Sequence, residues 1–148
     1  MFAAGLVDHP IDPDARLDWR ADRAIAAADE EQGIVLLKNA ASVLPFPRAL
    51  QRIAVIGGHA DRGVLSGGGS STVFPVGGNA VPGLGPSGWP GPQVYLPSAP
   101  LGAMMAEAPQ ARFRYASGRN LARAIRVARW ANRVILFATQ WAAESEDA

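Results

Sequence analysis

The chain has 148 residues, 49% of them hydrophobic, enough for one compact domain with its own core and too few for two sizeable ones. Fourteen basic against thirteen acidic residues leave a formal charge of +1, which gives no general electrostatic reason to bind nucleic acid or an anionic membrane. With no cysteine and two isolated histidines the chain offers neither disulfide, thiolate nor structural zinc chemistry, so no metal or cofactor is implied, and no apolar stretch approaches the roughly 20 residues that span a bilayer.

Met1–Asp8 reads as the end of a helix followed by a turn, without the basic start and apolar core of a secretory signal, which leaves the compartment open. Pro10 and Pro13 break the chain, and Asp14 is placed to cap a helix over 15–32 that carries Leu17, Ala21, Ile25 and Ala28 on one face and stops at Gly33. Ile34–Leu37 is a short apolar run read as a first strand, ending in Lys38 and Asn39, and Leu44-Pro45-Phe46-Pro47 follows as a turn. Arg52–Ile56, continuous in apolar residues and followed by Gly57 and Gly58, has the pattern of a centrally buried parallel strand.

Sixteen glycines and twelve prolines gather mainly between Gly57 and Pro100, where interleaved Val, Leu, Trp and Tyr argue for a long irregular segment packed over something, not a disordered one. A short helix over 100–108 comes next. The alternation in Ala111–Tyr115 predicts a half-covered strand, Ser117-Gly118 a turn, and Leu121, Ala124, Ile125, Ala128 and Ala131 recur at helical spacing before an apolar strand, Val134–Ala138. Strand, helix, strand in that order suggests a parallel crossover and an α/β fold.

Four groups of residues are candidates for chemistry. Gly57-Gly58-His59-Ala60-Asp61 follows a strand, as a nucleotide loop would. It lacks the Gly-x-Gly-x-x-Gly and Gly-Lys-Ser/Thr patterns, and glycines there also relieve crowding at a strand end. Gly67-Gly68-Gly69-Ser70-Ser71 is either a flexible linker or, given its apolar flanks Val64-Leu65 and Val73-Phe74, an anchored loop whose backbone approaches another surface closely. Arg119, Arg123, Arg126, Arg129 and Arg133 form a stripe opposite the apolar face of the last helix, read as a solvated or interdomain face. Glu144, Glu146 and Asp147 follow the last strand, where open α/β sheets place their chemistry. Their mutual repulsion and partial burial would raise a carboxyl pKa toward that of a general acid. Trp141 beside them offers a flat platform for a sugar ring.

The ordered series Met1–Asp8, Gln32–Asn39 with Leu44-Pro45, Ile53–Gly57 with Ala60-Asp61, Gly67–Ser71 with Pro75, and Phe137–Asp147 resembles glycoside hydrolase family 3, the β-glucosidase and β-xylosidase group, in register across essentially the whole chain. The resemblance implies residues 1–12 as the remnant of a barrel domain, 13–33 as a connecting helix, and 34–148 as the N-terminal half of a C-terminal domain. That half is a partial αβα sandwich with a mostly parallel sheet and a long Gly/Pro-rich irregular segment. It also implies a cleft between the two domains, a β-linked oligosaccharide or glycoside as the substrate, and the rest of the sandwich and the barrel as partners. The barrel's Ser-Asp-Trp segment, which would carry the nucleophile, is not in this sequence. Glu144-Ser145-Glu146-Asp147 resembles the family's Glu-Gly-x-Asp segment with Ser145 in place of glycine, so the acid/base role carries to Glu144. By the same resemblance, Gly68, Gly69, Ser70, Ser71, Trp141 and Asp147 face the substrate. A non-catalytic sugar-binding module using Trp89, Trp141 and the glycine-rich loop is the alternative.

Overall fold

The computed structural model describes residues 3–144 except 4, 6, 10, 11, 13, 48, 50, 51, 67 and 142, and the backbone but not the side chain of Ser71. The chain divides into two units, 1–45 and 46–148.

In the first unit Gly5 turns the chain at φ +69°, its carbonyl accepting from the amides of Asp8 and His9 at 3.1 and 2.8 Å. The helix that follows, α1, spans Trp19–Gly33. Its cap is Asp18, not Asp14: Asp18 Oδ1 accepts from the amides of Arg20 and Ala21 at 3.1 and 3.0 Å, satisfying two of the donors that a helix start leaves open. Asp14 instead donates its amide to Asp12 Oδ1 in a local turn, so 15–18 stay outside the helix. Among the described residues none of α1 is buried, and its predicted apolar face, Ile25 included, is exposed.

Ile34–Leu37 does not form the predicted first strand. A strand is held by its ladder, and among the described residues no partner pairs with this run, whose four side chains are 61–93% exposed. Just beyond it, Asn39 clamps the 39–44 loop with both ends of its side-chain amide. Nδ2 donates to the Leu44 carbonyl at 2.8 Å, and Oδ1 accepts from the Leu44 amide at 2.9 Å.

The second unit is built on a three-stranded parallel sheet in the order β4, β1, β5, with β1 at Arg52–Gly57, β4 at Arg112–Ala116 and β5 at Arg133–Phe137. The central strand is buried from Ile53 to Gly57. A continuous apolar run there reflects cover on both faces. On one face Ile53 and Val55 pack with Phe113, Tyr115, Ile135 and Phe137 under Leu101 and Met104 of α2, Pro100–Glu107. On the other, Ile56 and Ala116 meet Ala124, Val127 and Ala128 of α3, Leu121–Trp130. Helix, sheet and helix give the α/β sandwich arrangement.

α3 starts at Asn120, whose side chain caps the Arg123 amide at 2.9 Å. It stops at Trp130, so Arg133 opens β5 instead of completing the arginine stripe; Arg123, Arg126 and Arg129 are exposed on the helix. At the helix end the Arg114 guanidinium of β4 stacks on Trp130, 4.3 Å from the ring centroid.

The Gly/Pro-rich segment is closed by a two-stranded antiparallel ribbon, β2 at Val64–Leu65 and β3 at Tyr95–Leu96. Asn79 is its central clamp. Oδ1 accepts from the amides of Val81 and Tyr95 at 3.0 and 2.9 Å, and Nδ2 donates to the Gln93 carbonyl at 2.7 Å. With Val81 and Val94 buried, the segment is packed, as its apolar residues require.

Candidate active site

The loop after β2 is anchored, not a linker. The Ser66 amide donates to the Val94 carbonyl at 2.8 Å and the Gly69 amide to the Pro90 carbonyl at 3.3 Å, and Gly69–Ser71 forms a single 3₁₀ turn. What its glycines approach is the chain's own segment leaving β5. A Cβ on the buried Gly68 would lie 2.6 and 2.8 Å from Cη2 and Cζ2 of Trp141 and 2.9 Å from Ala143 Cβ. A Cβ on Gly69, whose φ is +82°, would overlap Glu144 Cβ and sit 3.0 Å from its amide nitrogen. A side chain at Gly68 would run into the Trp141 ring and Ala143 Cβ, and one at Gly69 into Glu144 in a conformation that is left-handed as well.

This approach carries Glu144 onto Ser70. The Ser70 amide donates to Glu144 Oε2 at 2.9 Å, and Ser70 Oγ donates to the same oxygen. Oε1 has no hydrogen-bond partner among the described residues. The pair lies at the surface. The Ser70 hydroxyl, and after it the Ser70 amide, stabilise the ionised carboxylate and hold Glu144 below the ordinary glutamate range, outweighing a smaller opposing effect of desolvation. The sequence had pointed the other way, to a raised value from burial and neighbouring acids. Two donors on an exposed carboxylate reverse that expectation. Asp147 and Glu146 lie outside the described residues, as does the side chain of Ser71.

Trp141 is half-buried with one edge of its six-membered ring against Gly68, while Trp89 is 65% exposed. A cavity of about 240 Å³ opens between the carboxyl ends of β1 and β5, lined among others by Gly58, Ala60, Tyr95, Phe137 and Thr139. A larger one, about 650 Å³, lies under α2 beside Ile53, Phe113 and Ile135, toward the amino ends of the strands and away from any of the candidate groups.

The β1 exit has its own support. Gly57, at φ +142°, leaves room only for Phe137, whose Cβ would be 2.7 Å from an added Cβ. The Tyr115 hydroxyl donates to the Gly57 carbonyl at 2.9 Å, and burial, followed by the nearby Asp61 carboxylate, pushes that phenol up to about 12. It therefore stays protonated and donating. Beside it His59, in a left-handed conformation at φ +59°, meets Tyr95 edge-on with centroids 4.9 Å apart, so this histidine is a packed loop residue. Asn79 and Tyr115 were not singled out by the sequence. The Gly77-Gly78-Asn79 turn signal marks the first, and nothing short of the fold marks the second.

Among the described residues no group of three or more acidic or histidine side chains is arranged to hold a metal ion, and no helix is long and apolar enough to cross a membrane.

Residues 34–148 match the model of the glycosyl hydrolase family 3 C-terminal domain. The chain belongs to this family. Over 58 residues it is 41% identical to proteins named probable beta-glucosidase H from Neosartorya fischeri and Aspergillus fumigatus, a match covering 39% of this chain and 7% of each relative. The corresponding protein of Emericella nidulans is 43% identical over 54 residues, 36% of this chain and 6% of the relative. The family 3 region matched here is thus a small part of much longer relatives. No solved structure matches the chain. Family membership makes this a glycoside hydrolase domain. The mostly parallel sheet with helices on both faces is consistent with that domain's α/β fold.

Proposed function

We propose that this chain supplies the general acid/base side of a retaining β-glycosidase cleft, with Glu144 as the proton carrier, and that a barrel domain outside this sequence supplies the aspartate nucleophile. The observation that carries the reading is the seating of Glu144. Its carboxylate leaves the carboxyl end of a parallel sheet, is gripped through one oxygen by the glycine-serine loop, and presents the other. In a retaining enzyme the two carboxyls lie about 5 to 5.5 Å apart. One attacks the anomeric carbon while the other protonates the departing oxygen, then deprotonates the water that releases the sugar. The substrate is a β-linked glycoside or oligosaccharide, a reading that leans on the beta-glucosidase names of the relatives. Among the described residues, Gly68, Gly69, Ser70 and Trp141 form this domain's wall of the substrate cleft.

Half of a carboxyl pair performs neither step, so the isolated chain is expected to show no turnover of p-nitrophenyl β-glucoside. Activity should arise when a family 3 barrel and the rest of the sandwich are supplied. In that assembly Glu144→Gln lowers kcat by roughly 10²- to 10⁴-fold on alkyl glucosides, the usual contribution of a general acid. It spares the first step on a dinitrophenyl glucoside, whose leaving group needs no proton. Equal loss of kcat/KM on both substrates, or hydrolysis by the isolated chain, would refute the reading. The exposure of Trp89 favours one alternative, a sugar-binding surface without catalysis, for which binding would survive Glu144→Gln and need no barrel.

A further inference from the structure

We infer that Ser70 is a positioning residue for Glu144: its amide and hydroxyl fix the carboxylate through Oε2, which leaves Oε1 as the atom that carries the proton. This rests on the acid/base reading above and adds which oxygen acts and what aims it.

Three observations converge. Both donors of one residue converge on a single oxygen, which removes the freedom of the carboxyl to present either oxygen. The donors sit on a turn that is itself fixed: the Gly69 amide is held by the Pro90 carbonyl, and the Thr72 amide by the Gly69 carbonyl at 3.1 Å. Gly69 has no side chain to hold the loop off Glu144: an added Cβ would overlap Glu144 Cβ and lie 3.0 Å from its amide nitrogen. A proton-transfer group must be aimed to within a fraction of an ångström, and a long glutamate side chain at a surface does not aim itself. Proton balance is simple. The Oε1 proton passes to the glycosidic oxygen as its bond to the anomeric carbon breaks and the electron pair goes to that oxygen; the resulting carboxylate then takes a proton from water at Oε1. Ser70 keeps its own proton throughout.

The same two donors favour the ionised form, so Ser70 also narrows the acidic range over which Glu144 stays protonated. Removing the hydroxyl should therefore raise the Glu144 pKa and at the same time loosen the carboxyl.

The test has two arms. Carboxyl ¹³C NMR titration of the chain with labelled glutamate follows Glu144 directly, without any activity. Ser70→Ala should move its titration to higher pH, and Ser70→Thr, which keeps a hydroxyl, should return it toward the original. An unchanged titration in Ser70→Ala would overturn the inference, as would a rise that Ser70→Thr fails to reverse. In the assembled enzyme, Ser70→Ala should shift the alkaline limb of the kcat/KM profile upward and lower kcat/KM about tenfold on a poor leaving group, with little change in kcat/KM on a dinitrophenyl glucoside. Should the NMR shift occur while the rate profile stays put, the pairing stands and the acid/base role of Glu144 falls. An unmoved NMR titration with a Glu144-dependent rate sinks the positioning role alone.

Discussion

Trp141 rests on Gly68 so closely that the glycine has no space for a methyl group, with the ring atom Cη2 2.6 Å from where a Cβ would be. The contact ties the loop after β2 to the segment after β5, two pieces of chain more than 70 residues apart, and it seats Ser70 opposite Glu144. Gly68→Ala must move either the indole or the loop. Overpacking of this kind costs about 1–3 kcal/mol. The expected outcome is a lower unfolding midpoint and greater acrylamide quenching of tryptophan emission, a change that a Trp141→Phe background should abolish. An unaltered quenching curve would mean that the two segments are not in contact.

Gly69→Ala tests the neighbouring position by a different mechanism. At φ +82° an alanine is strained by about 1–2 kcal/mol wherever it sits, and here its methyl also meets Glu144. The Ser70–Glu144 pair should open. Stability should fall, and the Glu144 titration should move up toward that of an unperturbed carboxyl. Loss of stability with an unmoved titration would show that the loop relaxes without releasing Glu144.

The Asn79 clamp predicts a local effect with a global cost. Asn79→Ala leaves the Tyr95 and Val81 amides and the Gln93 carbonyl without their side-chain partner in a partly buried setting. Losing three such bonds at about 0.5–1.5 kcal/mol each gives a destabilisation of roughly 1.5–4.5 kcal/mol. Hydrogen exchange at the Tyr95 and Val81 amides should accelerate most, because both donate to Asn79 Oδ1.

How much of this was legible in the sequence depends on what determines each feature. The strands at 52–57, 112–116 and 133–137 and helices α2 and α3 come within a residue or so of their patterns, because their burial is set by neighbours that the same periodicity predicts. The run Ile34–Leu37 has the composition of a strand and no ladder among the described residues, and composition cannot supply a partner. Asp14 and Asp18 are equally good caps as residues. Only the hydrogen bonds to Arg20 and Ala21 choose between them. At the candidate site the glycines announced a close approach, yet not to what. That the surface is Trp141 and Glu144 is a tertiary fact, and so is the lowering of the Glu144 pKa, which follows from Ser70 and not from the acidic neighbours visible in the sequence.

Tyr115 offers a prediction at the other sheet exit. Gly57 is buried, and its carbonyl accepts from the Tyr115 hydroxyl. Tyr115→Phe should cost about 1–3 kcal/mol, the penalty of an unsatisfied buried acceptor. The native phenol is raised to about 12, so its contribution is fully present below the ordinary tyrosine range and is lost as pH climbs through that value. Ultraviolet titration of the wild-type chain should show one tyrosine ionising near there, and the Phe variant should lack it. A wild-type tyrosine titrating entirely in the ordinary range would remove the hydrogen bond from the account.

Acid should undo the loop that seats Glu144. Because the folded carboxyl lies below its unfolded value, ionised Glu144 stabilises its seat on Ser70 fully above the unfolded value, and that stabilisation is lost as pH falls through the lowered folded value. The expected signature is a loosening at acidic pH confined to the loop and the segment after β5, reported by Trp141 emission and by faster exchange of the Ser70 amide while the sheet amides stay protected. Glu144→Gln should remove that pH dependence, since a neutral amide still accepts through its oxygen but no longer titrates. If the variant loosened in acid as the parent does, another group would have to hold the loop.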